Sequence, residues 1–153
     1  MKKILLLILS IIIFPLCVYA DDISDVKAAF NKYVNDANSY SRNLPNYYIN
    51  NAKIIRVVNK RRGGQHSIVI PYDRYLKELS GRSALAKAVN YKNKYTNIKI
   101  TKHNGDYKLS ATRIPRNDRV GLPCHFVYTK QDGSWKIKEE SMTTNVQTFL
   151  SAK

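Results

Sequence analysis

The sequence predicts an α+β domain, a curved antiparallel sheet wrapped around an N-terminal helix and short helices. Three observations predict it. One long stretch near the start has helical periodicity. Three pairs of strand-like runs are each split by a tight-turn dipeptide. A second helical stretch falls between the first pair and the second.

The first helix is predicted over residues 23–41. Ile23, Val26, Phe30, Tyr33, Val34, Ala37 and Tyr40 recur at i, i+3, i+4 spacing, and Lys27, Asn31, Lys32, Asn35 and Asp36 fill the other side. Ser24 suits the N-cap, and Asp25 suits the first turn. Leu44-Pro45 is the expected stop, because the residue before proline avoids the helical region. A short turn is expected over residues 46–50. Residues 52–61 and 65–71 then flank Gly63-Gly64, residues 95–103 and 106–114 flank Asn104-Gly105, and residues 120–130 and 134–144 flank Asp132-Gly133. Such dipeptides tolerate positive φ and match the twist of antiparallel strands. Between the first and second hairpins, Tyr75, Leu76, Leu79, Leu85, Ala88 and Val89 fit one or two short helices broken near Ser80-Gly81. The chain shows no internal repeat and no linker that would divide it.

Residues 1–20 read as a cleavable export signal: Lys2 and Lys3, an apolar run over 4–16, then Val18 and Ala20 at the −3 and −1 positions. The run is shorter than the roughly 20 apolar residues of a spanning helix. An uncleaved anchor is the alternative. A lipoprotein signal would want a small residue before Cys17, where Leu16 stands. Residues 21–153 are then a single periplasmic or secreted domain with no transmembrane segment. Cys124 is its one cysteine, so it has no internal disulfide and depends on an ordinary apolar core. The whole chain carries +15, and losing Lys2 and Lys3 leaves +13. That excess attracts anions, so the expected partner is an anionic ligand or an acidic protein surface. Lys, Asn, Ile and Tyr are also the residues an AT-rich genome favours, so the charge has two explanations. Tyrosines interleaved with lysines at Tyr91–Tyr95 could stack bases or sugars, but no recognised nucleic-acid motif accompanies them.

The N-terminal helix, the segment Tyr47-Tyr48-Ile49-Asn50-Asn51-Ala52-Lys53-Ile54-Ile55 and the ending Asp132-Gly133-Ser134-Trp135-Lys136-Ile137 resemble the NTF2-like superfamily, including its SnoaL-like and ketosteroid-isomerase-like members. The resemblance spans most of residues 23–145. It implies a cone-shaped sheet that encloses a pocket with its helices, fixes no single function, and leaves a homodimer through the sheet open.

A two-residue turn at Asp132-Gly133 sets the register of the last two strands. Lys130 then opposes Trp135, Tyr128 opposes Ile137, Phe126 opposes Glu139 and Cys124 opposes Ser141, on a mostly apolar face looking into the cone. His125 opposite Glu140, Val127 opposite Lys138 and Thr129 opposite Lys136 make the other face. Glu139 is then a carboxylate among apolar neighbours. It is either an acid/base with a raised pKa or a rim residue paired with a cation. Isomerase chemistry needs an acidic base plus oxyanion donors. Tyr128 could donate, but no second carboxylate reaches this face, so no catalytic set is assigned and Glu139 and Tyr128 stand only as candidates. Arg113, Arg116 and Arg119 around the 115–118 loop could clamp a phosphate or carboxylate. The alternative is a solvated loop. Lys60-Arg61-Arg62 forms a second basic tip. Candidate ligand contacts are therefore Arg113, Arg116, Arg119, Glu139, Tyr128 and Trp135. Adjacent strand residues face opposite ways, so Cys124 and His125 make a nucleophile–base pair only if Pro123 bends the chain. Cys124 reads as a small buried residue. His66, His103 and His125 lack ligand spacing, so no metal and no cofactor are expected.

The expected function is an exported, non-enzymatic binding domain. The alternatives are an isomerase or dehydratase using Glu139, and an envelope assembly component or immunity protein.

Overall fold

The computed structural model describes residues 14–115 and 119–151. Residues 1–13 of the expected leader lie outside the described residues, as do Arg116 and Asp118. Helix α1 (Phe14–Asn38) is followed by a 3-10 turn (Leu44–Tyr47), strands β1 (Tyr48–Asn59) and β2 (Gln65–Ile70), helix α2 (Tyr72–Ala88), strands β3 (Asn93–His103), β4 (Asp106–Pro115), β5 (Leu122–Gln131) and β6 (Ser134–Thr144), and a closing 3-10 turn (Gln147–Ser151). No helix of the described residues is long and apolar enough to cross a membrane.

The periodicity of α1 does what it predicts: Val26, Phe30 and Tyr33 are buried, and Lys27, Asn31, Lys32 and Asn35 are exposed. Its ends differ from expectation. The helix runs through Ser24, so that residue caps nothing. It stops at Asn38, well before Pro45. Tyr40 takes φ 61, with Tyr40 N donating to Ala37 O (3.2 Å) and Ser41 N to Asp36 O (2.9 Å). This left-handed cap satisfies the last carbonyls without proline. Pro45 instead opens the 3-10 turn. Helix α2 is one helix, unbroken at Ser80-Gly81, and ends on the same device: Asn90 has φ 48, and Tyr91 N donates to Ala86 O (2.8 Å).

The six strands form one sheet in the order β2-β1-β6-β5-β4-β3. All neighbours are antiparallel except β1 and β6, which run parallel. Asn104-Gly105 and Asp132-Gly133 have positive φ at both positions, as the two-residue hairpins require. Irregularities in β1, in β3 and between β5 and β6 bend the sheet. Asn51 (φ 59) and Asn97 (φ 54) sit at the first two, and Asn tolerates the left-handed region better than most residues.

The irregularity between β5 and β6 corrects the expected register. Lys130–Trp135, Thr129–Lys136 and Tyr128–Ile137 pair as predicted, but Val127 then pairs with Glu139 and Phe126 with Glu140. Lys138 is the extra residue. Beyond it every side chain of β6 changes face, so Cys124 opposes Met142, and His125 opposes Ser141. Glu140 faces into the cone, and Glu139 faces out.

Strands β1, β4 and β6 finish, and β2, β3 and β5 begin, at one end of the sheet. Both helices finish there too. Asn38 on α1 exchanges two 2.9 Å bonds with the backbone of Asn93, and Tyr40 Oη donates to Asn90 Oδ1 (2.9 Å). The core fills the other end: Phe30, Phe126, Tyr128, Leu109 and Ile137 are all at most 1% exposed.

Gly81 lies inside α2 with ordinary helical φ, and a Cβ there would meet open space. Glycine is about 1 kcal/mol worse than alanine at such a site. Gly81→Ala is expected to raise the thermal midpoint by a few degrees, as read by calorimetry.

Candidate functional site

Glu140 on β6 has no exposed side-chain surface. An unpaired carboxylate there would carry a large desolvation penalty, and four side chains from three other elements offset it. Arg56 Nη2 on β1 lies 2.7 Å from Oε1. Tyr48 Oη, at the start of β1, donates to Oε2 at 2.5 Å. Tyr75 Oη on α2 lies 3.1 and 3.2 Å from the two oxygens, and Tyr33 Oη on α1 donates to Oε2 at 3.4 Å. Tyr48 Oη is also within hydrogen-bond distance of Tyr33 and Tyr75 (3.2 and 3.1 Å). The Arg56 guanidinium lies over the Tyr75 ring, 5.3 Å from its centroid.

Burial and the neighbouring Glu140 charge push the hydroxyls of Tyr33, Tyr48 and Tyr75 well above the ordinary tyrosine range. They remain O–H donors. Burial pulls Arg56 down, but the attraction of Glu140 outweighs it, and the guanidinium stays charged. Glu140 thus accepts from three phenols and one guanidinium.

Above this cluster lies a cavity of about 450 Å³, within the range of small-molecule sites. Tyr33 and Ala37 of α1, Tyr75 and Leu79 of α2, Tyr95 of β3, Met142 of β6 and Phe149 of the closing turn line it, with Arg56 and Arg113. Glu140 does not reach it. Among the described lining residues Glu78 is the acidic group, and its Oε1 pairs with Arg74 at 3.2 Å.

Arg113 on β4 is 7% exposed. Its Nη1 donates to Tyr91 Oη (3.1 Å) and Asn93 Oδ1 (3.0 Å), and its Nη2 donates to Thr143 O (3.0 Å). All three partners are neutral. Its Nε is buried with no partner, and no carboxylate among the described residues pairs with it. Two buried guanidinium groups therefore face one cavity, and among the described residues one is paired with a carboxylate and one is not.

The other candidates lie elsewhere. Glu139 is on the outer face, 3.2 Å from His125 Nε2 and 3.5 Å from Lys53 Nζ. Tyr128 is 1% exposed in the packed end, and its hydroxyl has no partner. Trp135 packs edge-on to Tyr107 (5.4 Å), beneath Lys130, beside a groove between α1 and the β5–β6 turn. Arg119 is exposed on its loop. Cys124 is buried against Ala111 O (3.4 Å), and burial lifts its thiol to about 12, which makes it a poor nucleophile. Among the described residues no three His, Cys, Asp or Glu side chains gather as a metal site.

Sequence reading missed Arg56, Glu140 and the three tyrosines as a unit. One signal was present. Arg56 falls in the inward phase of Ala52, Ile54, Arg56 and Val58, a cation in an apolar alternation. Removing one partner of a buried ion pair costs about 3–5 kcal/mol, and replacing both with apolar groups of similar volume is often neutral. Glu140→Gln is therefore expected to lose that much stability in urea unfolding. Glu140→Leu combined with Arg56→Met should recover most of it. Equal losses in the single and double variants would refute the coupling.

No family model matches the chain, and no curated protein matches it. Solved structures do. An NTF2-like protein with a cystatin-like fold from Novosphingobium aromaticivorans superposes with a TM-score of 0.64 at 8% identity, over 83% of this chain and 84% of that one. A proposed dehydratase from the NTF2-like family from Streptomyces avermitilis gives 0.60 at 11% identity, over 81% and 96%. An NTF2-like protein from Shewanella baltica gives 0.56 at 10% identity, over 81% and 94%. The chain has the NTF2-like fold.

Proposed function

We propose that this chain is a non-enzymatic binding domain whose cavity holds a small amphipathic monoanion, a carboxylate above all, with Arg113 as its charge partner. The uncompensated Arg113 in the cavity wall carries this reading. A buried guanidinium without a counter-charge is costly, and a ligand carboxylate would remove that cost. The apolar and aromatic wall suits the remainder of such a ligand.

The absence of a usable acid/base among the described cavity groups supports a binding role over an isomerase or dehydratase. Glu140 is sealed and fully engaged, Glu139 faces outward, and Glu78 is paired with Arg74. A general base must be within reach of the proton it takes.

The test uses 2-naphthoate and its neutral amide as probes. The acid is expected to bind at least about tenfold tighter by calorimetry, the scale of a charge-assisted hydrogen bond. Arg113→Met should abolish that preference. Equal binding of the two probes, or chemical conversion of a bound ligand seen by mass spectrometry, would sink the proposal.

The leader composition supports action outside the cytoplasm. Sequencing the N-terminus of the protein recovered from its producing cells should give Asp21 first. An intact Met1 would count against export by cleavage.

A further inference from the structure

The end of the sheet that holds the cavity has a charge pattern the binding site does not explain. Four segments meet there: the β1–β2 loop, the lead-in to β3, the β4–β5 loop and the tail after β6. They bring Lys60, Arg61, Arg62, Lys92, Lys94 and Arg119 to one rim, and every one of these side chains is exposed. Among the described residues of these segments there is no acid, and none of the six basic side chains has an ion pair. Asp118 lies outside the described residues.

The opposite end is compensated. Asp22 there is 3.6 Å from Lys130, and Asp106 is 2.8 Å from Lys138. Asp21, Asp25 and Asp132 lie at the same end. The rim around the cavity thus holds six positive charges with no acid among its described residues.

Large apolar side chains are exposed on the same rim: Val120 at 64%, Val146 at 51% and Leu150 at 39%. Val146 also lines the cavity, beside Phe149. Apolar surface thus continues from inside the cavity out to a rim bordered by lysines and arginines.

We infer that this rim docks on an anionic phospholipid surface, with the cavity facing the membrane. Basic side chains near such a surface each contribute about 1 kcal/mol of attraction, and the valines and Leu150 add shallow apolar insertion of the kind seen at interfacial elements. An acidic protein would satisfy the charges, but it gives no reason for exposed apolar residues to run on into the cavity. Docking would let an amphipathic ligand pass between bilayer and cavity without crossing water.

The experiment is sedimentation of the whole chain with phosphatidylglycerol-containing vesicles and with pure phosphatidylcholine vesicles. All variants share the N-terminal segment, so the differences among them are the readout. Preferential binding to the anionic vesicles is expected. Arg61→Glu with Arg62→Glu should lower it by at least about tenfold, and Val120→Asp with Val146→Asp should also weaken it. Lys99→Glu with Lys108→Glu, on the outer face of the sheet, should leave it unchanged. Hydrogen exchange on vesicle addition should slow in residues 60–64, 119–122 and 145–150. Equal partition into both vesicles, equal loss in the outer-face variant, no effect of the valine changes, or no protection of those segments would each overturn the inference. The vesicle experiment is independent of whether 2-naphthoate binds.

Discussion

A carboxylate with no access to water must be surrounded by donors, and in this chain that requirement ties four elements together. Glu140 comes from β6, Arg56 and Tyr48 from β1, Tyr75 from α2 and Tyr33 from α1. Hydrogen bonds weaken steeply with distance and angle, so neither helix can slide without leaving the carboxylate short of a donor. An apolar core tolerates some rearrangement at constant volume, whereas this cluster does not. The same contacts hold β1 beside β6, the one parallel pair in the sheet.

The cluster also determines which groups are left for a ligand. A guanidinium whose charge is met by a carboxylate at 2.7 Å adds little net field to the cavity. Arg113, whose partners among the described residues are all neutral, adds more. Glu140 cannot act on anything in the cavity, because Tyr33, Tyr75 and Arg56 lie between. The polar cluster beneath the cavity is therefore scaffold, and the proposed binding role falls to Arg113 on the facing strand. Cone folds of this kind host many functions, and a free acid/base or a free cation in the cavity wall is the kind of difference that separates them.

Much of this architecture was legible in the sequence, because the elements announce themselves locally. The inward stripe of α1 and the turns at Asn104-Gly105 and Asp132-Gly133 depend on neighbours a few residues apart. What escaped has no local signal. Parallel pairing of β1 with β6 joins residues such as Ile54 and Glu140, far apart in the chain. The irregularities at Asn51 and Asn97 carry a residue type suited to positive φ. The one at Lys138 carries no such mark, since its backbone stays in the ordinary region. A single extra residue there exchanged Glu139 for Glu140. The Glu-Glu pair made the error invisible, because either register puts one carboxylate inside and one outside.

That exchange is what gives the inward position to Glu140. With the straight register, Glu139 would stand opposite Phe126, and Lys53, its present partner, points to the outer face of β1. Glu139 would then be the inward carboxylate on the face of Arg56, and Glu140 would take the outer position beside Lys53 and His125. The extra residue at Lys138 brings Glu140 level with Ile54, one step along the inward phase of β1 from Arg56, where the guanidinium can reach it. The alternation of β1 is unbroken from Ala52 to Val58, so the cation's face is fixed by apolar burial on either side. The register of β6 is then the adjustable quantity. The extra residue at Lys138 therefore decides which of two adjacent glutamates meets Arg56 inside the cone and which meets Lys53 and His125 outside it.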